Sequence, residues 1–167
     1  SDLIDSLPNE NFIYYGDSLN APYGVKSVDE VVELTYSAVN QMMGKGLKAV
    51  VIACNTATSA AIKELRDKFD IPIIGMEPAV KPAVEAGTTG DIAVMATPMT
   101  LKLDKFNHLL NQLDSTSKII KVPSPELVDY VERGIYEGKI IEDYIENLFS
   151  SYSKKDIESV VLGCTHF

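Results

Sequence analysis

The chain contains no tryptophan, only two histidines and only two cysteines among 167 residues. So little cysteine excludes the dense disulfide framework that staples small secreted domains. The two cysteines are Cys54 and Cys164. They are far apart and form no Cys-x-x-Cys pair, which argues against a thiol-redox motif. Basic residues are also short, 15 Lys and Arg against 24 Asp and Glu, for a formal net charge of -9. Nothing resembles a basic stripe, so no nucleic-acid partner is expected. No segment approaches the roughly 20 apolar residues that span a bilayer, and the first residues lack the basic-then-apolar order of a secretion signal. The expectation is a cytoplasmic chain with no membrane partner. Low-complexity segments and short-period repeats are missing as well.

What the sequence does have is a hydrophobic content of 46%, ample for a core, and one pattern that occurs twice. Val50-Val51-Ile52-Ala53 runs into Cys54-Asn55-Thr56-Ala57, and a helix-like pattern over 58–69 follows. Val160-Val161-Leu162-Gly163 runs into Cys164-Thr165-His166 near the other end. A short apolar run feeding a helix reads as a buried parallel strand. Cys54 then stands at the carboxyl end of a strand, where open α/β sheets place their ligands.

Strand and helix patterns alternate throughout, which predicts an α/β fold with parallel sheets. Strands are expected over 11–15, 48–53, 71–75, 91–96, 118–122 and 157–162. Helices are expected over 28–45, 58–69, 101–113, 126–137 and 140–149, with the tail of another at 1–7. Ser27 and Glu30 form a capping box, and Val31, Val32, Leu34, Val39, Met42 and Met43 are the candidate core positions of the helix that follows. The stretch 76–82, with Pro78 and Pro82, breaks the rhythm and marks a crossover between lobes. The expected division is 1–77 as a first lobe carrying Cys54 and 78–167 as a second carrying Cys164.

Two cysteines facing each other across a cleft suggest a definite chemistry. One thiolate removes a proton from a carbon while the opposite thiol returns one to its other face, inverting a stereocentre without metal or cofactor. A proton next to an ionised carboxylate is weakly acidic, so donors fixed in advance must stabilise the charge that develops. Asn55, Thr56, Thr97, Thr100 and Thr165 are suitable donors at strand ends, joined by backbone N–H groups at helix N-termini. Those helix ends are also expected to lower a cysteine pKa below the free value of about 8.5. His166, two residues after Cys164, offers a proton relay. Taken singly these residues have plainer uses: buried cysteine is commonly inert, Thr97 and Thr100 can cap a helix, and Asp17 suits a turn.

Together, Ala53-Cys54-Asn55-Thr56-Ala57, Gly163-Cys164-Thr165-His166, Gly16-Asp17-Ser18 with Pro22-Tyr23-Gly24, and Gly75-Met76-Glu77-Pro78-Ala79 resemble glutamate racemase. That family belongs to the cofactor-independent aspartate/glutamate racemase superfamily. The resemblance implies two similar α/β lobes with the active site between them, the first lobe incomplete here. It implies interconversion of L- and D-glutamate for peptidoglycan synthesis, with no cofactor and no metal. By the same resemblance Cys54 deprotonates D-glutamate, Cys164 deprotonates L-glutamate, and His166 assists Cys164. Tyr23 and Gly24 match the loop lining the substrate pocket, and Asn55, Thr56, Thr97, Thr100 and Thr165 match positions that hold substrate. Glu132 resembles the carboxylate that supports the histidine. The partner implied is the small-molecule substrate glutamate, and the family often forms homodimers.

Family members open on a strand ending in Phe-Asp-Ser-Gly, which is missing here, and continue past the second cysteine motif. The resemblance therefore implies a fragment lacking that N-terminal strand and a C-terminal segment, with uncovered apolar surface. The alternatives are an aspartate racemase or related diacid enzyme of the superfamily, or an inactive fragment that only binds a dicarboxylate.

Overall fold

The computed structural model describes residues 2–87, 90–113, 118–152 and 156–167. After the short helix α1 (Asp2–Ser6), the first regular unit begins at Ser27. Its hydroxyl accepts from the Glu30 amide at 3.3 Å while the Glu30 carboxylate accepts from the Ser27 amide at 2.8 Å, the expected capping box. Helix α2 (Val28–Met43) buries the stripe Val31, Thr35 and Val39, spaced four apart on one face. Thr35 is tolerated there because its hydroxyl donates to the Val31 carbonyl at 2.6 Å.

Strand β1 (Val50–Ile52) pairs in parallel with β2 (Ile73–Gly75), and helix α3 (Asn55–Lys68) makes the crossover between them. Ala57, Ala61, Ile62 and Leu65 of α3 pack with Val50, Ile52 and Ile73 in one core that also receives Val31 and Val39. Thr58, fully buried, pins the unit from inside: its hydroxyl donates to the Ile52 carbonyl and accepts from the Met76 amide. A Cβ on Gly75 would sit 2.4 Å from the Thr58 methyl, so only glycine lets β2 pass this close.

The second sheet has β3 (Asp91–Ala96) at its centre, flanked in parallel by β4 (Ile119–Pro123) and β5 (Ile157–Leu162). A central parallel strand is covered on both faces, so its residues form a continuous apolar run. Ile92 through Ala96 are accordingly all buried. Ile92, Val94 and Ala96 pack against Val80 of α4 (Val80–Glu85), Leu101 of α5 (Pro98–Lys102), and Phe106 and Leu109 of α6 (Asp104–Asn111). Ala93 and Met95 pack with Ile120, Val122 and Leu127 of α7 (Leu127–Glu132), behind which lies α8 (Lys139–Phe149).

The α/β class and its parallel sheets follow the sequence expectation, with three departures. Residues 11–15 form no strand; Phe12, Ile13, Tyr14 and Tyr15 are exposed, and none of them joins either sheet. Their consecutive apolar side chains carry no alternation that would fix a face. The helix expected over 101–113 is two helices, because Leu103 is extended (φ -70°, ψ 152°) and turns the chain before Phe106 and Leu109 reach β3. The helix expected over 126–137 ends at Glu132, where Gly134 takes a positive φ of 74°. Val51 and Ile74 of the first sheet and Val160 and Leu162 of β5 are exposed. Among the described residues no helix is long and apolar enough to cross a membrane.

Leu65 is fully buried where α3 meets β1 and β2. Leu65→Ala is expected to lower unfolding free energy in urea by about 2–5 kcal/mol, through lost transfer energy and the cavity left behind.

Candidate active site

Cys54 is the residue at which β1 gives way to α3. Its backbone is extended (φ -93°, ψ 121°), and its Sγ accepts from the Ala57 amide at 3.4 Å in the manner of a helix cap. Asn55 and Thr56, the first two residues of α3, are buried. Their side chains leave the first unit and reach the second. Asn55 Nδ2 donates to the Gly163 carbonyl at 2.8 Å, while its Oδ1 is buried with no hydrogen-bond partner among the described residues. The Thr56 hydroxyl meets Thr97 at 2.9 Å and Thr100 at 3.3 Å, and those two meet each other at 3.0 Å.

These three buried hydroxyls form a closed triangle. Each hydroxyl has one proton and two acceptor sites, so a ring in which each donates to the next satisfies all three donors. Thr97 also caps α5 by accepting from the Thr100 amide at 3.3 Å. One hydroxyl thus both caps a helix and joins the cluster. A Cβ on Gly24 would lie 2.6 Å from the Thr97 methyl, so glycine is what seats the Tyr23–Gly24 loop against this cluster.

Tyr23 is half-buried beside the Cys54 core, and its hydroxyl donates to Asp17 Oδ2 at 2.6 Å. Burial first, and then the Asp17 carboxylate, push the phenol far above its ordinary pKa, so it stays protonated. Asn20 Nδ2 also donates to the same carboxylate, at 2.8 and 3.0 Å, in a loop that passes through a cis Ala21–Pro22 peptide. Asp17 therefore does more than shape a turn: it holds the tyrosine of the pocket loop. The Gly-Asp-Ser and Pro-Tyr-Gly pair was the available signal, but spacing alone could not show that the carboxylate reaches the phenol.

Cys164 follows β5 and Gly163. Its Sγ lies 3.7 Å from His166 Nδ1, and His166 Nε2 lies 2.6 Å from Glu132 Oε1. With Nε2–H donating to the carboxylate, Nδ1 is left as acceptor for the thiol. The expectation of a lowered thiol pKa fails at Cys164. Burial, with a smaller contribution from Cys54, pushes this thiol up. The amides of Thr165 and His166, which form a turn after the thiol, pull the other way but do not outweigh burial. Thr165 is exposed in that turn.

The structure thus gathers Tyr23, Gly24, Cys54, Asn55, Thr56, Thr97 and Thr100 with the Gly163–Cys164 end of β5, and His166 and Glu132 line up behind Cys164. Among the described residues no group of three or more His, Cys, Asp or Glu side chains could hold a metal ion. The arrangement suits proton transfer between two thiols in a surround of neutral hydrogen-bond donors.

The raised thiol has a direct readout in alkylation by iodoacetamide, with peptide mass spectrometry separating the cysteines. Modification of Cys164 is expected to keep accelerating above the free-thiol value of about pH 8.5. Cys54→Ser is expected to move that midpoint down, since the Cys54 charge contributes to the upward shift. A midpoint at or below the free value would contradict the assignment.

Comparison with known proteins agrees with this geometry. The family model for Asp/Glu/Hydantoin racemase matches residues 5–167. The glutamate racemase of Clostridium novyi (strain NT) is 58% identical over 165 residues, covering 98% of this chain and 64% of that protein. The glutamate racemase of Clostridium acetobutylicum is 55% identical with the same coverage. Among solved structures, Escherichia coli glutamate racemase in complex with L-glutamate and the activator UDP-MurNAc-ala superposes with a TM-score of 0.84 at 31% identity, over 99% of this chain and 64% of that one. Glutamate racemase from Francisella tularensis in complex with D-glutamate gives 0.81 at 27% identity, over 99% and 62%. The chain spans about 64% of the length of these curated relatives. On its match from residue 5 to residue 167, the chain belongs to the Asp/Glu/Hydantoin racemase family.

Proposed function

We propose that this chain carries the two proton-transfer groups of a glutamate racemase, inverting C2 of glutamate without a cofactor and supplying D-glutamate for peptidoglycan. The observation that carries this reading is the placement of Cys54 and Cys164 at the carboxyl ends of strands from two different sheets, with the flanking residues hydrogen-bonded to each other. Identity of 58% to a glutamate racemase supports the choice of substrate. In this reading residues 1–77 form one lobe and 78–167 the other, and substrate lies between them.

In the D-to-L direction the Cys54 thiolate takes the C2 proton from D-glutamate and becomes a thiol. The C–H electron pair remains on C2 and delocalises into the adjacent carboxylate. The Cys164 thiol delivers its proton to the opposite face and is left as thiolate. Burial that keeps Cys164 protonated suits it to this donor role. In the L-to-D direction Cys164 must first be ionised. His166 Nδ1, 3.7 Å from its sulfur, is the acceptor for that proton, and the Glu132 carboxylate stabilises the resulting imidazolium. Thr165 and the backbone amides opening α3 supply donors for the two carboxylates, while the Thr56, Thr97 and Thr100 hydroxyls, bonded to one another, turn a donor to substrate only by opening their ring. Tyr23 and Gly24 close the pocket beside the first thiol.

Cys54→Ser and Cys164→Ser are each expected to lower racemisation, followed by polarimetry from both enantiomers, by at least about 10²–10⁴-fold, the usual contribution of a positioned proton-transfer group. Wild-type turnover in either variant would sink the two-thiol assignment.

A further inference from the structure

We propose that Asn55 is a positioning residue that fixes the separation of the two cysteines, by tying the residue after Cys54 to the residue before Cys164; the catalytic meaning of this strap rests on the two-thiol reading above. The strap is the Nδ2 hydrogen bond to the Gly163 carbonyl at 2.8 Å, across 108 residues of sequence. Both of its ends are buried in the fold. Asn55 is the first residue of α3 and only 9% exposed. Gly163 is buried, and its own amide donates to the Met95 carbonyl at 2.7 Å at the end of β3. A Cβ on Gly163 would sit 2.7 Å from that carbonyl and 2.9 Å from the Ala96 Cβ. Glycine therefore lies flush against β3, and its carbonyl offers Asn55 a fixed acceptor.

The amide orientation is determined by this contact, since the reverse orientation would set Oδ1 against the Gly163 oxygen. One amide proton of Asn55 is thus committed to the other cysteine loop rather than to a substrate carboxylate. Proton transfer between two faces of one carbon tolerates little change in spacing, because a misplacement of about 1 Å can cost on the order of 10²-fold. A buried hydrogen bond placed between the two thiol-bearing segments sets that spacing before substrate arrives.

The test is intramolecular cross-linking of Cys54 to Cys164 in the intact chain. The reagents are dibromobimane, which fluoresces once both arms have reacted, and a longer bis-maleimide. The reporter is whichever joins the wild-type thiols faster. Asn55→Asp keeps the shape and, once ionised, cannot donate; Asn55→Ala removes the group. In both, the ratio of cross-linking to single alkylation is expected to fall about tenfold, the weight of one buried hydrogen bond. An unchanged ratio, or a wild-type chain joined by neither reagent, overturns the proposal. In the racemising protein kcat is expected to fall with KM held within about twofold, since ground-state binding is not what the strap supplies. A raised KM with kcat retained would make Asn55 a substrate contact and overturn it. A wild-type chain that cross-links but does not racemise glutamate leaves the strap standing and removes only the functional reading. If neither variant folds, NMR of the wild-type chain decides: slow solvent exchange of an Asn55 side-chain amide proton supports the strap, and fast exchange overturns it.

Discussion

The site depends on a polar seam between two apolar units. The first sheet and its helices share one core, and the second sheet has its own on both faces. Where the units meet, Met99 of α5 reaches into the first core, and beside it the sequence places Asn55, Thr56, Thr97 and Thr100, all buried. An unpaired buried donor or acceptor costs about 1–3 kcal/mol, so such groups select the one docking geometry that pairs them. The Asn55 Nδ2 with the Gly163 carbonyl, and the three hydroxyls with one another, meet that demand, while the Asn55 Oδ1 is left without a partner among the described residues. The cysteines are carried along with the seam, because one precedes Asn55 and the other follows Gly163.

The electrostatics of the seam fit an anionic guest in an acidic chain. A formal charge of -9 would repel a dicarboxylate if the site added to it. Neutral hydroxyls, an amide and a protonated phenol line the region instead, and the carboxylates nearby are spoken for. Asp17 accepts from Tyr23 and Asn20, and Glu132 from His166. The two thiols differ in surroundings as well as position. Cys54 opens a helix of 14 residues, whereas Cys164 sits half-buried in a turn with an imidazole against it. The two cysteine motifs echo each other in sequence, but they present chemically distinct groups.

Much of this was legible in the chain itself, for physical reasons that vary by element. Strand 91–96 is legible to the residue because its apolar run from Ile92 is bounded by Gly90-Asp91 and Thr97-Pro98, and 157–162, with Glu158 and Ser159 inside it, is legible from the run Val160–Leu162 that leads into Gly163. Strand 48–53 shrank to three residues, since Lys48 and Ala49 are exposed and only Val50–Ile52 pair with β2. Residues 11–15 misled because apolar content without a partner makes no sheet. What the sequence could not carry was contact across distance. Thr58 bridging Ile52 and Met76, Asp17 receiving Tyr23, and Asn55 reaching Gly163 are pairings of ordinary residues that become visible only once the chain is folded. The raised pKa of Cys164 belongs with them, since the burial that causes it is set by packing and not by the motif.

The central claim is that two thiols serve opposite faces of one carbon. Its most direct test is proton NMR of L- and D-glutamate incubated with this chain in heavy water. The account predicts loss of the α-proton signal from either enantiomer, with deuterium entering the inverted product first, and no loss from D-glutamate when Cys54 is replaced by serine. Exchange of D-glutamate that persists in the Cys54→Ser chain, or, in the unaltered chain, deuterium that enters the starting enantiomer ahead of inversion, would contradict it.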